Sequence, residues 1–453
     1  MRKMKDSGIE WIGEIPKNWE LARLKDIAAN ETYSIVDGPF GTAISTSDYQ
    51  DSGVPLVRIV NLNQTELKTD NFVYITEEHA EKLSRSRFYV EDIIFAKTGA
   101  TVGKCAYNSN VKSGILSSSC VKIRISDNYY RKYYYYFFNT NQFNEALRMA
   151  CNGTTRDTIN LKPFACLNCL LPSYSEQQAI SAHLDKQCAH IDNIIEKTKA
   201  SIEEYKKLRQ AVITQAVTKG VRGDRPMKDS GIEWIGEIPE KWHFIKITRM
   251  LSDNHPYPMG DGDHGLVKTD DYRDEGVPYL RVQNLGWGTE LLLDNVVYIT
   301  EEKNEQIKNS TLRPNDILFA KTGATIGKTG IIPESLPISN TTSHIGKITL
   351  SEKYCPRFVF YVLSSPIGYK QFWQLAIQKT TRPELSIDET KSIKVLIPDT
   401  YDEQEEIVAY LDEKCKSIDN IISKKEQFLT ELESYKKSMI YEYVTGKKEV
   451  PQS

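Results

Sequence analysis

The feature that most constrains this chain is that it is written twice. "MKDSGIEWIGEIPKNWE" at 4–20 returns as "MKDSGIEWIGEIPEKWH" at 227–243. "GVPLVRIVNL" from Gly53 returns as "GVPYLRVQNL" from Gly276, and "FAKTGATVGK" from Phe95 as "FAKTGATIGK" from Phe319. Self-similarity on this scale fixes the architecture before any element is assigned, because both copies must satisfy one fold. At 453 residues the chain is also too long for one ordinary core, and roughly 100 to 200 residues per domain predicts about two to four units.

Each copy ends in a different kind of sequence. After "LLPSYSEQQ" and "LIPDTYDEQ" come long polar stretches with heptad apolar spacing. Alternating steps of four and three run through Leu184, Cys188, Ile191, Ile195, Thr198, Ile202, Tyr205, Arg209, Val212 and Ala216. The second series runs through Leu411, Cys415, Ile418, Ile422, Lys425, Leu429, Leu432, Lys436, Met439 and Tyr443. Both series read as coiled-coil seams, with Leu184, Ile191, Ile195, Ile202, Val212, Leu411, Ile418, Ile422, Leu429 and Met439 as helix-pairing residues. Ser175 with Gln178 and Asp402 with Glu405 have capping-box spacing, which starts the helices near 175 and 402. Gly220 and Gly446 stop them. Each helix would be roughly 65–70 Å long at 1.5 Å per residue, and needs a partner along its length. The twin helix is the nearest one.

The boundaries that follow are globular portions at 1–174 and 227–401, long helices at 175–220 and 402–447, a linker at 221–226 and a tail at 448–453. Within the globular portions, short β-rich runs such as "VPLVRIV" and "VKIRIS" alternate with turns and a few helices. That pattern predicts a mixed α/β fold rather than an open parallel sheet. The eight aromatics between Tyr129 and Phe138 have an aromatic, helical counterpart in "RFVFYVLSSPIGYKQFWQLA", so they read as a packing helix rather than a base-stacking platform. The whole is a pseudo-two-fold molecule: two tandem-repeated globular units separated by two long helices forming an antiparallel coiled coil.

Several chemistries are disfavoured. The T-G-A-T-x-G-K loop places three residues between its first glycine and the Gly-Lys pair, whereas a phosphate-binding loop needs four and a following helix. "DGPF" at Asp37 and "NHPY" at Asn254 each lack a proline of the loop that holds a target amino group in amino-methyltransferases. The acidic group Asp261, Asp263 and His264 has no counterpart in the first half, which argues against a shared metal site. The Cys166–Cys169 pair sits in an apolar run with no second ligand pair nearby. No catalytic residue, cofactor or metal is expected. The apolar runs are shorter than a bilayer span and the start has no signal core, so the expectation is a cytoplasmic protein without a membrane partner. Net charge of −3 does not by itself announce a nucleic-acid binder. A doubled reader at fixed separation nevertheless suits a long ligand touched at two places, and DNA is the obvious one.

The plan of globular unit, helix, globular unit, helix resembles the specificity subunit of Type I restriction-modification systems. The motifs "WIGEIPxxWE/H", "DGPFG" and "DGDHG", "FAKTGATxGK", and the helix-end "VTKG" and "VTGK" carry the resemblance over essentially the entire chain. "VTKG" inverts the more usual Thr-Gly-Lys order. The resemblance implies a non-catalytic subunit whose two target-recognition domains each read one part of a bipartite, asymmetric site in double-stranded DNA. The helices would set the unread spacer and dock two modification subunits that carry adenine methyltransferase chemistry. An ATP-dependent restriction subunit is a further partner in a full complex. The alternative is a coiled-coil assembly scaffold that does not read DNA.

Comparing the halves then separates two roles. Residues repeated in both cannot distinguish two half-sites, so they serve phosphate contact or scaffold. These are Arg58, Asn61, Lys97, Lys104, Thr154, Thr155 and Arg156, with Arg281, Asn284, Lys321, Lys328, Thr380, Thr381 and Arg382. Base readers belong where the halves diverge beside these anchors, with side chains able to make paired hydrogen bonds. Asn63, Gln64, Asn152, Gln283 and Gln378 fit that description.

Overall fold

The computed structural model describes residues 2–63, 66–152, 157–289, 291–377 and 383–451. They form two units: Met1–Thr198 with Gln427–Ser453 (unit 1), and Lys199–Glu426 (unit 2). The boundary falls inside both long helices, which span Tyr174–Lys219 (46 residues) and Tyr401–Val444 (44 residues). Among the described residues no helix is long and apolar enough to cross a membrane.

The heptad seam is where the helices bury surface: every seam position is buried or half-buried. In unit 1 Lys436 Nζ donates to Asp192 Oδ1 at 2.6 Å, and the His183 and Tyr443 rings pack at 4.5 Å. In unit 2 Arg209 Nε pairs with Asp419 at 2.9 Å, while Lys425 Nζ lies over the Tyr205 ring. In each unit the residue numbers rise on one helix as they fall on the other, so the pairing is antiparallel. The main core of unit 1 combines Leu184, Cys188 and Ile191 with Met439, Tyr443 and Val444. The main core of unit 2 combines Ile213, Ala216 and Val217 with Ile407, Leu411 and Cys415. Each core thus holds the beginning of one helix and the end of the other. Full burial of a side chain such as Leu184 contributes about 1.5–3 kcal/mol.

The helix starts differ from the capping expectation by two residues. Ser173 N–H donates to Glu176 Oε2 at 3.1 Å and Glu176 N–H to Ser173 Oγ at 3.4 Å, so the reciprocal box is Ser173 with Glu176, not Ser175 with Gln178. A carboxylate at the third position takes the free N–H more strongly than an amide would. The second helix is capped by Thr400, whose Oγ1 accepts from Glu403 N–H at 3.4 Å, rather than by Asp402 with Glu405. Gly220 at φ +73 and Gly446 at φ +72 end the helices in the left-handed region.

The globular part of each unit grips its own helix start with the same three contacts. Trp19 Nε1 donates to Glu176 Oε1 at 3.2 Å, with the Arg2 guanidinium paired to that carboxylate and lying over the Trp19 ring. Trp242 Nε1 donates to Glu403 Oε1 at 3.3 Å, with Arg225 in the role of Arg2. At the next residue, Tyr130 N–H donates to Gln177 Oε1 at 2.7 Å, as Cys355 N–H does to Gln404 Oε1 at 2.9 Å. Further along, the hydroxyls of Tyr136 and Tyr361 donate to Asp185 and Asp412 at 2.6 and 2.5 Å. The aromatic run therefore lies in the core: Tyr133 to Phe138 are all buried on the helix Arg131–Phe138, which corresponds in the repeat to the helix Pro356–Ser364.

Two larger sheets, beside two two-stranded ladders, make up the β-structure of each unit. In unit 1 one sheet runs Val73–Ile75, Val54–Val57, Ser113–Leu116, Arg87–Tyr89, and the other Ile35–Asp37, Cys120–Ile123, Ile93–Ala96, Cys105–Tyr107. Unit 2 keeps the second sheet as Met259–Asp261, Ile345–Ile348, Ile317–Ala320, Thr329–Ile331, and reduces the first to three strands. The missing edge survives as an isolated bridge between Leu312 and Ser339. Neighbouring strands are antiparallel except Val54–Val57 beside Ser113–Leu116, and Val277–Leu280 beside Asn340–Thr341. The result is a mixed fold.

Candidate nucleic-acid interface

In unit 1 the strands ending at Asp37, Val57, Ala96 and Leu116 deliver their carboxyl ends to one rim. Short backbone contacts tie the four loops that follow. Ser117 N–H donates to Val57 O at 2.9 Å and Lys97 N–H to Ser119 O at 2.8 Å. A Cβ on Gly38 would fall 1.9 Å from Ser117 O, so only glycine lets the Asp37 turn approach this closely. Unit 2 repeats the junction: Thr342 N–H donates to Leu280 O, Lys321 N–H to His344 O, and a Cβ on Gly262 would fall 2.0 Å from the Thr342 carbonyl carbon. The "DGPFG" and "DGDHG" turns therefore belong to the same device.

The repeated lysine just before the T-G-A-T-x-G-K loop closes the rim. Lys97 Nζ donates to Asp37 Oδ2 at 2.5 Å, with Arg85 sharing that carboxylate at 3.4 Å. Lys321 pairs with Asp261 and also reaches Ser343 O at 3.3 Å. The loop itself is a 3-10 turn, Gly99–Thr101 or Gly323–Thr325, followed by the strands Cys105–Tyr107 or Thr329–Ile331. No helix follows either lysine, so the dipole and free N–H groups that hold a nucleotide phosphate are not assembled. Lys104 and Lys328 are half-buried on these loops and have no ion-pair partner among the described residues. Burial pushes the Cys120 thiol beside Lys97 up to about 12, which leaves it protonated and unreactive.

The second anchor is an Arg-x-x-Asn turn. Asn61 is fully buried; its Oδ1 accepts from Arg58 N–H at 2.9 Å and its Nδ2 donates to Lys68 O at 3.1 Å. Asn284 does the same with Arg281 N–H at 2.8 Å and Leu292 O at 2.8 Å. Both amides are spent on backbone groups of their own unit. Arg58 Nη2 donates to Asn71 O and Arg281 Nη2 to Asn295 O, each guanidinium lying over a tyrosine ring, Tyr49 or Tyr272. The Nε of both arginines is buried without a hydrogen-bond partner.

Among the divergent residues, Gln283 and Asn152 are exposed and Asn63 is half-buried. Asn152 is held by its N–H to Thr158 O at 2.9 Å, and Thr158 also bridges to Thr98 of the loop, which brings this segment to the rim. Gln64, Thr154, Thr155, Arg156, Gln378, Thr380, Thr381 and Arg382 lie outside the described residues. The flanking backbone still joins the rim, since Gly99 N–H donates to Asp157 O and Gly323 N–H to Pro383 O.

Two further divergent positions are apolar and so lie outside a criterion of paired hydrogen bonds. Phe40, 88% exposed, stands where the second copy has His264; Val60, 62% exposed, stands where it has Gln283. The same comparison of halves, applied to apolar residues, exposes both. His264 Nε2 lies 3.2 Å from Asp261. Among the described residues no group of three His, Cys, Asp or Glu side chains is placed to hold a metal ion.

Comparisons with known proteins give the family of the chain. A family profile described as Type I restriction modification DNA specificity domain matches residues 16–204 and 264–433. The chain is 28% identical over 365 residues to the Type I restriction enzyme MjaVIII specificity subunit of Methanocaldococcus jannaschii, covering 79% of each chain. It is 27% identical over 414 residues to the Type I restriction enzyme EcoBI specificity subunit of Escherichia coli, covering 85% of this chain and 80% of that one. A chain from a solved structure concerned with complex assembly and conformational transition of the type I R-M system has the same fold, with TM-score 0.69 at 14% identity over 96% of this chain and 99% of that one. With most of its length inside the matched profile, the chain belongs to the Type I restriction-modification DNA specificity family.

Proposed function

We propose that the chain is the non-catalytic, sequence-specific DNA-binding subunit of a Type I modification complex, reading a bipartite asymmetric site with one rim per unit. The observation that carries this is the rim itself, built twice from the same Asp-Gly turn, lysine loop and Arg-x-x-Asn turn, yet carrying different side chains at its exposed points. Identical scaffolds with divergent tips suit a molecule that holds two stretches of one polymer in the same way and reads them differently. In this reading Lys97, Lys321, Asn61 and Asn284 shape the rim, while Arg58, Arg281, Lys104 and Lys328 meet phosphates. Gln283, Asn152 and Asn63 read base edges, together with Gln64 and Gln378. Thr154, Thr155 and Arg156, with Thr380, Thr381 and Arg382, contact the backbone. The paired helices set the unread spacer and dock two adenine methyltransferase subunits, which supply the chemistry; restriction subunits join the same assembly.

The test is co-expression with a cognate methyltransferase subunit and mapping of methylated adenines across the host genome. A split motif with an unread gap is expected. An unsplit motif, or none, refutes the proposal. Adding four residues to both helices should lengthen the gap and leave the bases unchanged.

A further inference from the structure

We propose that the third residue of the Arg-x-x-Asn turn is a base-reading position in both units, with Val60 packing on the 5-methyl group of a thymine and Gln283 holding an adenine through its N6 and N7 edge. The assignment rests on the DNA-reading function proposed above and names the contact chemistry of one position in each half-site.

The turn is a rigid platform. Its backbone is the same in both copies, with φ −117 and ψ 166 at Arg58 against φ −119 and ψ 164 at Arg281. The buried amide of Asn61 or Asn284 locks the far side, and the preceding residue, Ile59 or Val282, packs against the core. Only the third residue is turned out. Val60 is 62% exposed, and Gln283 is exposed as well. A β-branched apolar side chain gains nothing for the fold there, because its neighbours already close the turn.

Location and chemistry agree. The turn follows directly on the strand Val54–Val57, whose last carbonyl accepts from Ser117 N–H; Ser117 O in turn crowds Gly38. The turn therefore leaves its strand at the rim, where the Asp37 turn also lies, and carries its exposed third residue from there. On one backbone, one copy offers two methyl groups and the other a carboxamide. In the major groove a thymine methyl is read by apolar contact, and adenine N6 and N7 by a bidentate amide. The two side chains correspond to those two edges.

The test uses the full chain with its methyltransferase subunit, and maps methylated adenines for the parent, Val60→Ala, Val60→Gln and Gln283→Val. Val60→Ala should relax a thymine preference at one position of one half-site by about fivefold. Gln283→Val should relax an adenine preference at one position of the other half-site by about tenfold or more. Val60→Gln should move the first position toward adenine and keeps the readout independent of simple loss. An unchanged motif in all three variants overturns the assignment while the parent's split motif preserves the wider function. Changes spread over both half-sites also overturn it, since they reveal a structural role. A parent with no split motif sinks the DNA-reading function and this assignment together.

Discussion

Replacing Asn61 with alanine tests whether the Arg-x-x-Asn turn is the rigid platform described here. The Asn61 side chain is fully buried and makes two hydrogen bonds, from Arg58 N–H at 2.9 Å and to Lys68 O at 3.1 Å. Each bond contributes about 1 kcal/mol net. Lys68 is exposed, so water can take over its carbonyl and the full penalty of a stranded acceptor does not apply. The space vacated by the amide adds up to about 1 kcal/mol. Asn61→Ala should therefore destabilise unit 1 by about 2–3 kcal/mol. At a denaturant sensitivity of about 2–3 kcal/mol per M, its urea midpoint should fall by about 1 M. Hydrogen exchange followed peptide by peptide separates the units: amides of 54–123 should lose protection while those of 277–348 keep theirs. Asn284→Ala should give the mirror result. A loss below about 0.5 kcal/mol for both variants, or equal loss of protection in both units, would refute the platform and the division into units that unfold separately.

Two further outcomes follow from contacts described above. Burial alone would raise the Glu176 carboxyl, but hydrogen bonds from Ser173, Trp19 and Arg2 hold it below its ordinary 4.5. A depressed folded-state value means stabilisation that is present above pH 4.5 and lost as pH falls through the lower folded value. Glu176→Gln should therefore cost about 1–2 kcal/mol at neutral pH, discounted for its partial exposure, and the gap in melting temperature to the parent should close in acid. A gap independent of pH would count against the clamp. Gly38→Ala drives a Cβ against the Ser117 carbonyl and should cost about 1–3 kcal/mol by thermal melting, whereas Gly41→Ala, whose Cβ has only Ser118 Oγ at 4.0 Å, should be nearly neutral. Equal effects would show that close approach is not what the Asp-Gly turn requires.

The heptad seam was readable in advance because burial on a helix repeats locally, and Leu184 through Tyr443 lie where their spacing puts them. The capping residues were legible only to within two positions. Ser173 and Ser175 both have the right chemistry, and the choice between them depends on Glu176 being held by Trp19 and Arg2 from far along the chain. Non-local pairing hid the rest. Nothing in the spacing of Lys97 shows that Asp37, from another strand end, takes its charge. The repeat identified it as shared between the halves, while its partner had to be found in three dimensions. Phe40 and Val60 fall outside the sequence reading for a different reason: the criterion of paired hydrogen bonds excludes apolar side chains, although duplication makes their divergence visible.

The assignment of helix ends to cores has a bearing on how the chain is made. Unit 2 is one contiguous segment, Lys199–Glu426, whereas unit 1 needs Met439, Tyr443 and Val444 to complete a core begun hundreds of residues earlier. During synthesis, unit 2 can close as soon as its last strand and helix emerge, while the earlier-made globular part waits with the Leu184–Ile191 face uncovered. The N-terminal part, which ordinarily matures first, thus has one face of its core covered last. The open face is an apolar liability for as long as ribosomal transit of unit 2 takes, so a pause between Lys199 and Glu426 would favour aggregation more than a pause after Val444.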